Sequence, residues 1–231
     1  MEEQLLKIFE GNSELYLTTS PTGGVDERGK VEVECLTVHE PVTLKLWKDH
    51  LDGKQRIGIK PEKDDLCKWG CIDIDPQSYK DYSQKKVIDI LRDNQLPLIP
   101  VRSKSGGLHL FLFLNDWSPV KDVLKKLHEW NKNFFQALEV FPMNKCMNMP
   151  YFNMNATTEF AYNENNTPIM IGGFLDLVKN KTVTIEQLSN IKVKEYEPEE
   201  DWKHYPPCIQ KMIMDKWSGN HRNDLLYNVG V

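Results

Sequence analysis

Apolar residues recur along this chain with two periods, and the places where the period changes mark out the elements. Leu5, Leu6, Ile8 and Phe9 make 2–9 a short helix with one buried side. Alternation over Leu15–Thr18 and over Val31–Val38 predicts two strands about a Gly/Pro-rich turn, Ser20-Pro-Thr-Gly-Gly24. A helix opened by Pro41-Val-Thr43 runs to Leu51, with Thr43 as its N-cap and Gly53 as its stop. Gln55–Ile59 reads as a strand, and Pro61-Glu-Lys-Asp-Asp65 as an acidic loop. Strands follow at 69–75, Leu98–Val101 and Leu108–Leu114, with a helix at Ser83–Asn94 burying Val87, Ile88, Ile90 and Leu91. From Ser118 to about Leu138, Val123, Leu124, Leu127, Trp130, Phe134 and Leu138 recur at helical spacing. The opposite face of that helix carries Lys121, Lys125, Lys126 and Lys132, a solvated basic side. Short strands and turns then lead to helices near 173–179 and 184–190.

Two stretches carry the candidate chemistry. In Trp69-Gly-Cys-Ile-Asp73-Ile-Asp75 the alternation of a strand turns Asp73 and Asp75 to one face, about 6.5–7 Å apart at Cα. Two carboxylates there repel one another unless a cation neutralises them, and a pair of Mg²⁺ or Mn²⁺ ions suits such oxygens. The second stretch is Arg102-Ser-Lys-Ser-Gly-Gly-Leu-His109, a Gly-rich loop running into a strand. Its backbone N–H groups can approach phosphates, while Arg102 and Lys104 add positive charge and Ser103 and Ser105 add hydroxyls. It is not a Walker loop, because GxxxxGK[ST] is absent. Read locally, 102–107 is equally a hairpin turn, and His109 beside Phe111 and Phe113 is equally a core histidine.

The ordered set Asp73-Ile-Asp75, then Ser103-Lys-Ser-Gly-Gly-Leu-His109, resembles the archaeo-eukaryotic primase superfamily, with its Asp-x-Asp and x-x-His motifs. More narrowly it resembles the primase-polymerase domains of phages, plasmids and TOTE-type conflict systems. Glu40-Pro-Val-Thr43, Leu46-Trp47, His50-Leu51 and Gly58-Ile59 upstream are similar to residues of that group. Downstream, so are Glu139-Val-Phe-Pro142, Asn148-Met-Pro-Tyr-Phe152, Pro206-Pro-Cys-Ile and Gly219-Asn-His-Arg-Asn223. One departure stands out: many members have Ser two residues before the histidine, where this chain has Gly107.

The resemblance implies an α+β fold, an RRM-like catalytic sheet beside an N-terminal αβ unit. It implies a catalytic domain over 1–194, an acidic linker over 195–206 and the start of a helical region over 207–231, where Arg222 lies. The chain stops inside an apparent helix, which implies a longer protein, one with a helicase module. The implied activity is metal-dependent joining of dNTPs or NTPs on a single-stranded DNA template. Asp73, Asp75 and a third acid would hold two ions; Arg102, Ser103, Lys104, Ser105 and His109 would bind the triphosphate. For the third acid the chain offers Glu139, Glu159 and Asp176. Glu139 occupies the position of the family's third acidic motif, at the break after the long helix, and is the expected choice. Arg56 and Lys60, one strand away, look no different from surface residues.

Composition narrows this reading modestly. A chain of 231 residues can bury a sizeable single core. Without a signal-peptide pattern, and with an odd count of five cysteines, a reducing cytoplasm is expected, and the resemblance implies that of a bacterial host of a phage or mobile element. Cys67 and Cys71 lie four apart without a second Cys/His pair, so zinc is not expected. A net charge of −5 argues against tight duplex binding and suits a transient template contact. Two other functions use clustered acids or the same setting: a two-metal nuclease, and a non-catalytic replication-initiation module that binds DNA.

Overall fold

The structure, a computed structural model, describes residues 1–25, 31–76 and 83–193. The expected linker over 195–206, the helical region over 207–231 and Arg222 lie outside the described residues. Those described belong to one compact unit, Met1–Val193.

The elements follow in the order α1 (Glu2–Ile8), β1 (Tyr16–Val25), β2 (Val31–Val38), α2 (Leu44–Leu51), β3 (Arg56–Ile59), β4 (Glu62–Lys63) and β5 (Leu66–Ile74). Next come α3 (Gln84–Asp93), β6 (Leu98–Arg102), β7 (Leu108–Pro119), α4 (Val120–Trp130), β8 (Glu139–Phe141) and β9 (Met147–Asn148). The last are β10 (Ala161–Tyr162), β11 (Pro168–Ile169), α5 (Ile171–Lys181) and α6 (Ile185–Asn190). Local chemistry sets several boundaries. Thr43 and Ser83 accept the N–H of Leu46 and Lys86 and so cap α2 and α3, and Thr184 with Gln187 closes a capping box on α6.

β5-α3-β6-β7-α4-β8 forms a βαββαβ unit, with the strands in spatial order β6-β7-β5-β8 and every neighbouring pair antiparallel. This is the RRM-like sheet. β10 and β11 widen it beyond β6, and β4 shares the far edge of β5 with β8. Strand alternation splits its side chains between two cores. Ile72, Ile74, Leu98, Leu108, Leu110 and Leu112 face α3 and α4, meeting Val87, Ile88, Leu91, Val123, Leu127 and Trp130. Trp69, Cys71, Ile99, Val101, Phe111 and Phe113 face the other way, toward the N-terminal unit and α5. There Phe9 stacks on Trp47 and Phe174 and meets Trp69, Phe111 and Phe113 edge-on, with centroids 5.3–6.1 Å apart. The N-terminal unit has its own sheet, in the order β2-β1-β3-β9.

Three local expectations are overturned. Ser20–Gly24 is not a turn: β1 runs through it, and a register shift between Pro21 and Val25 in the ladder with β2 absorbs the irregular residues. The 61–65 stretch is not an open loop. Glu62–Lys63 pairs with Leu66–Cys67 around Asp64 and Asp65, whose φ of 51° and 59° closes a two-residue hairpin. The long helix does not reach Leu138. It passes at Asn131 into a π-helical turn over Asn131–Phe135 and stops at Gln136, which adopts a left-handed conformation. The Asn131 side chain secures the exit, donating to the Ala137 carbonyl and accepting its N–H. Leu138 is 82% exposed, and Glu139 begins a strand instead of ending a helix.

Cys67 and Cys71 are buried in opposite cores, so they share no ligand. Burial pushes the Cys67 thiol up to about 12. Among the described residues no helix is long and apolar enough to cross a membrane.

Candidate active site

Register places the site. Asp73 pairs with Glu139 on β8 and with His109 on β7; His109 pairs with Val101, and Val101 with Ala161. Directly opposed residues project to the same side of a sheet, about 4.5–5.5 Å apart. Glu139, Asp73 and His109 therefore form a row on the face turned toward the N-terminal unit. The row lies one step beyond Phe141, Cys71 and Phe111, where the apolar face ends. Asp73 keeps 29% of its side chain exposed and His109 14%.

This half-buried setting shapes the charges. Burial, then the neighbouring Glu139 and Asp75, raises the Asp73 carboxyl to about 6. Burial lowers the His109 imidazole to about 4, partly opposed by Glu159, so His109 is neutral at pH 7. Its Nε2 lies 3.5 Å from Asp73 Oδ1, too far for a strong bond. Asp75 sits one residue past the end of β5 and is exposed, so it follows the strand instead of sharing its ladder. Glu139 Oε1 receives the Lys145 ammonium at 2.8 Å.

The 103–107 loop is the tight connection of the β6–β7 hairpin. Ser103 N–H donates to the Gly107 carbonyl at 2.9 Å, and Gly106 N–H to the Ser103 carbonyl at 3.0 Å. Gly106 takes φ +89°, and the Ser103 and Ser105 hydroxyls lie 3.1 Å apart. Ser103 is buried, whereas Lys104 and Ser105 are exposed. Gly107 explains the missing serine. A Cβ there would stand 2.1 Å from the Ile74 carbonyl oxygen and 2.7 Å from Pro76 Cδ, because the loop closes directly onto the end of β5. That approach holds the loop beside Asp73 and Asp75.

Arg102 is not part of the row. It pairs with Leu108, one step out of phase with His109, so its Cβ points to the α3/α4 side of the sheet. Its guanidinium donates to the Thr158 carbonyl at 2.9 Å. Asp176 is also elsewhere: on α5 it lines a cavity with Lys7, Lys68, Phe113 and Lys179. Strand rise puts Phe113 about 13 Å along β7 from His109.

Sequence reading underrated two residues. Glu159 is buried and ion-paired to Arg56, whose guanidinium lies 4.3 Å from the Phe152 ring centroid. Glu159 is also the charge that His109 feels. Only the unusual Asn/Thr-rich run before a short apolar strand hinted at it.

Oxygen donors of the Asp73/Glu139/Asp75 kind match a hard cation such as Mg²⁺ or Mn²⁺, and the raised carboxyl of Asp73 marks a cluster that a cation would relieve. Among the described residues, no three acidic, His or Cys side chains already converge as an ion cage.

The family model of the TOTE conflict system, Archaeo-Eukaryotic Primase domain, matches residues 21–141. The chain belongs to this family. The matched span carries Asp73, Asp75, the 103–107 loop, His109 and Glu139. Among solved structures, the archaeo-eukaryotic primase domain of the cyanophage S-2L primase-polymerase is similar at 11% identity, covering 77% of this chain and 97% of that one, with a TM-score of 0.39. No curated protein matches.

Proposed function

We propose that this primase-family domain is a metal-dependent nucleotidyltransferase that joins nucleoside triphosphates on a single-stranded DNA template. The in-register row Glu139–Asp73–His109, with the 103–107 loop closed against its end, carries the reading. It brings carboxylate oxygens, a histidine and a glycine loop into one short stretch of sheet, the donors that a divalent cation and a triphosphate would need. Asp73, Asp75 and Glu139 would hold two divalent ions. Such ions, when bound, activate a 3′-hydroxyl and neutralise the departing pyrophosphate. Neutral His109 presents one ring N–H to a phosphate oxygen. Ser105 and Lys104 would contact the rest of the triphosphate, while Arg102 braces the loop against Thr158. Burial around Asp73 keeps bulk water from its inner side, which strengthens each charge interaction there.

Primer extension and unprimed synthesis on single-stranded DNA, with Mg²⁺ or Mn²⁺ and either dNTPs or NTPs, test the proposal. Incorporation with pyrophosphate release, lost in Asp73→Ala/Asp75→Ala, is the expected result. Cleavage of the template with the same dependence would make it a two-metal nuclease. DNA binding that is indifferent to Asp73 and incorporates nothing would make it a non-catalytic module.

A further inference from the structure

Lys145 stands out among the groups around the row because it touches an acid of the row itself. Its ammonium lies 2.8 Å from Glu139 Oε1. The contact is not the accident of a loose tail. β8 ends at Phe141, held to Cys71 of β5, and β9 begins at Met147, held to Ile59 of β3. Between them Lys145 N–H closes a turn onto the Met143 carbonyl, and Lys60 Nζ donates to Asn144 Oδ1 at 2.8 Å. The segment that carries Lys145 is thus tied at both ends and in its middle.

Resting on the metal-dependent reading above, we propose that Lys145 is a built-in counter-ion of the acid row. Its ammonium occupies Glu139 until a divalent cation displaces it, and so sets the cation concentration at which the site fills. Glu139 stands opposite Asp73 with Asp75 close by, so like charges gather on one short row. A positive group there relieves the repulsion when no cation is bound. The two side chains are 58% and 41% exposed, so the pair is weak and readily exchanged. A lysine suits that exchange, because a point charge on a flexible stem swings away without breaking a bidentate pair. A structural bridge would be buried, as Arg56–Glu159 is.

Mn²⁺ titration followed by the EPR signal of the free ion, on the full chain without nucleotide, tests this. Lys145→Ala is expected to bind Mn²⁺ about two- to fivefold more tightly than wild type, the scale of one exposed ion pair. Lys125→Ala removes an exposed charge on α4 that has no part in holding the Lys145 segment, and is expected to match wild type at physiological ionic strength. Equal or weaker binding by Lys145→Ala overturns the counter-ion role, and so does an equal gain in Lys125→Ala, which would show a general field effect. Absence of Mn²⁺ binding in wild type and Lys145→Ala alike, with circular dichroism unchanged, overturns the metal reading itself and the counter-ion role with it.

Discussion

Asp73 faces Glu139 directly across the β5–β8 ladder, on the sheet face where the core gives way to solvent. Burial first, and the facing Glu139 second, make the Asp73 carboxyl hold its proton to higher pH: it is raised from 3.8 to about 6. The folded state therefore binds a proton across roughly pH 4–6 that the unfolded chain has released. Stability falls as pH rises through that window, and the whole cost is present above pH 6. Asp73→Asn is expected to stabilise the metal-free protein by about 1–3 kcal/mol at pH 7.5, with the gain vanishing near pH 4. Urea denaturation in EDTA at both pH values measures it. A gain that is the same at both would mean the carboxyl is not the cause.

Glu139 and Asp176 separate the two leading choices for a third acid. Glu139→Gln is expected to lower incorporation by about 10²-fold or more, the scale for losing one preorganised charge-stabilising group. Asp176→Asn, on α5 beside Phe113, should stay near wild type. Single-turnover incorporation with Mn²⁺ compares them, and loss confined to Asp176→Asn would transfer the role.

His109 and Arg102 should part company in nucleotide binding. His109→Ala is expected to weaken a non-hydrolysable triphosphate by about 1.5–3 kcal/mol, the range for a hydrogen bond to a charged group. Arg102→Ala should cost less, since its guanidinium is engaged by Thr158 and its Cβ points to the other face. Isothermal titration of both variants decides the order. Equal affinity in His109→Ala would leave the imidazole a core residue.

Gly107 should resist even one methyl group. A Cβ at this position would meet the Ile74 oxygen at 2.1 Å, so Gly107→Ala must push the loop from the end of β5. A loss of about 1–3 kcal/mol in stability is expected, the usual cost of overpacking. Thermal unfolding at pH 7.5 measures this. An unchanged midpoint would show that the loop moves freely.

Much of the arrangement was legible in local sequence. Asp73 and His109 lie on strands whose alternation is plain, and Thr43 caps the helix it was expected to cap. Glu139, the expected third acid, does lie beside Asp73, but it begins a strand and does not end a helix. The periodicity of Val123 through Leu138 suggested a helix running up to it, whereas a π-helical turn and Gln136 stop the helix early. Leu138 keeps helical spacing and still points to solvent, because spacing cannot report where the backbone leaves the helix.

By itself, the sequence determined the elements whose reasons are local: β5 and β7 by alternation, α2 and α3 by their caps, and the hairpin by its paired glycines. These depend on residues a few positions apart. Tertiary structure decided what depends on strand register: Glu139 beside Asp73, Arg102 turned to the opposite face, and Glu159 buried against Arg56 near His109. It also turned Ser20–Gly24 from a turn into part of a strand, by pairing it with β2. Register is set by how two whole cores fill on either side of one sheet, and a one-residue slip would reverse every side chain. No short stretch of sequence carries that information.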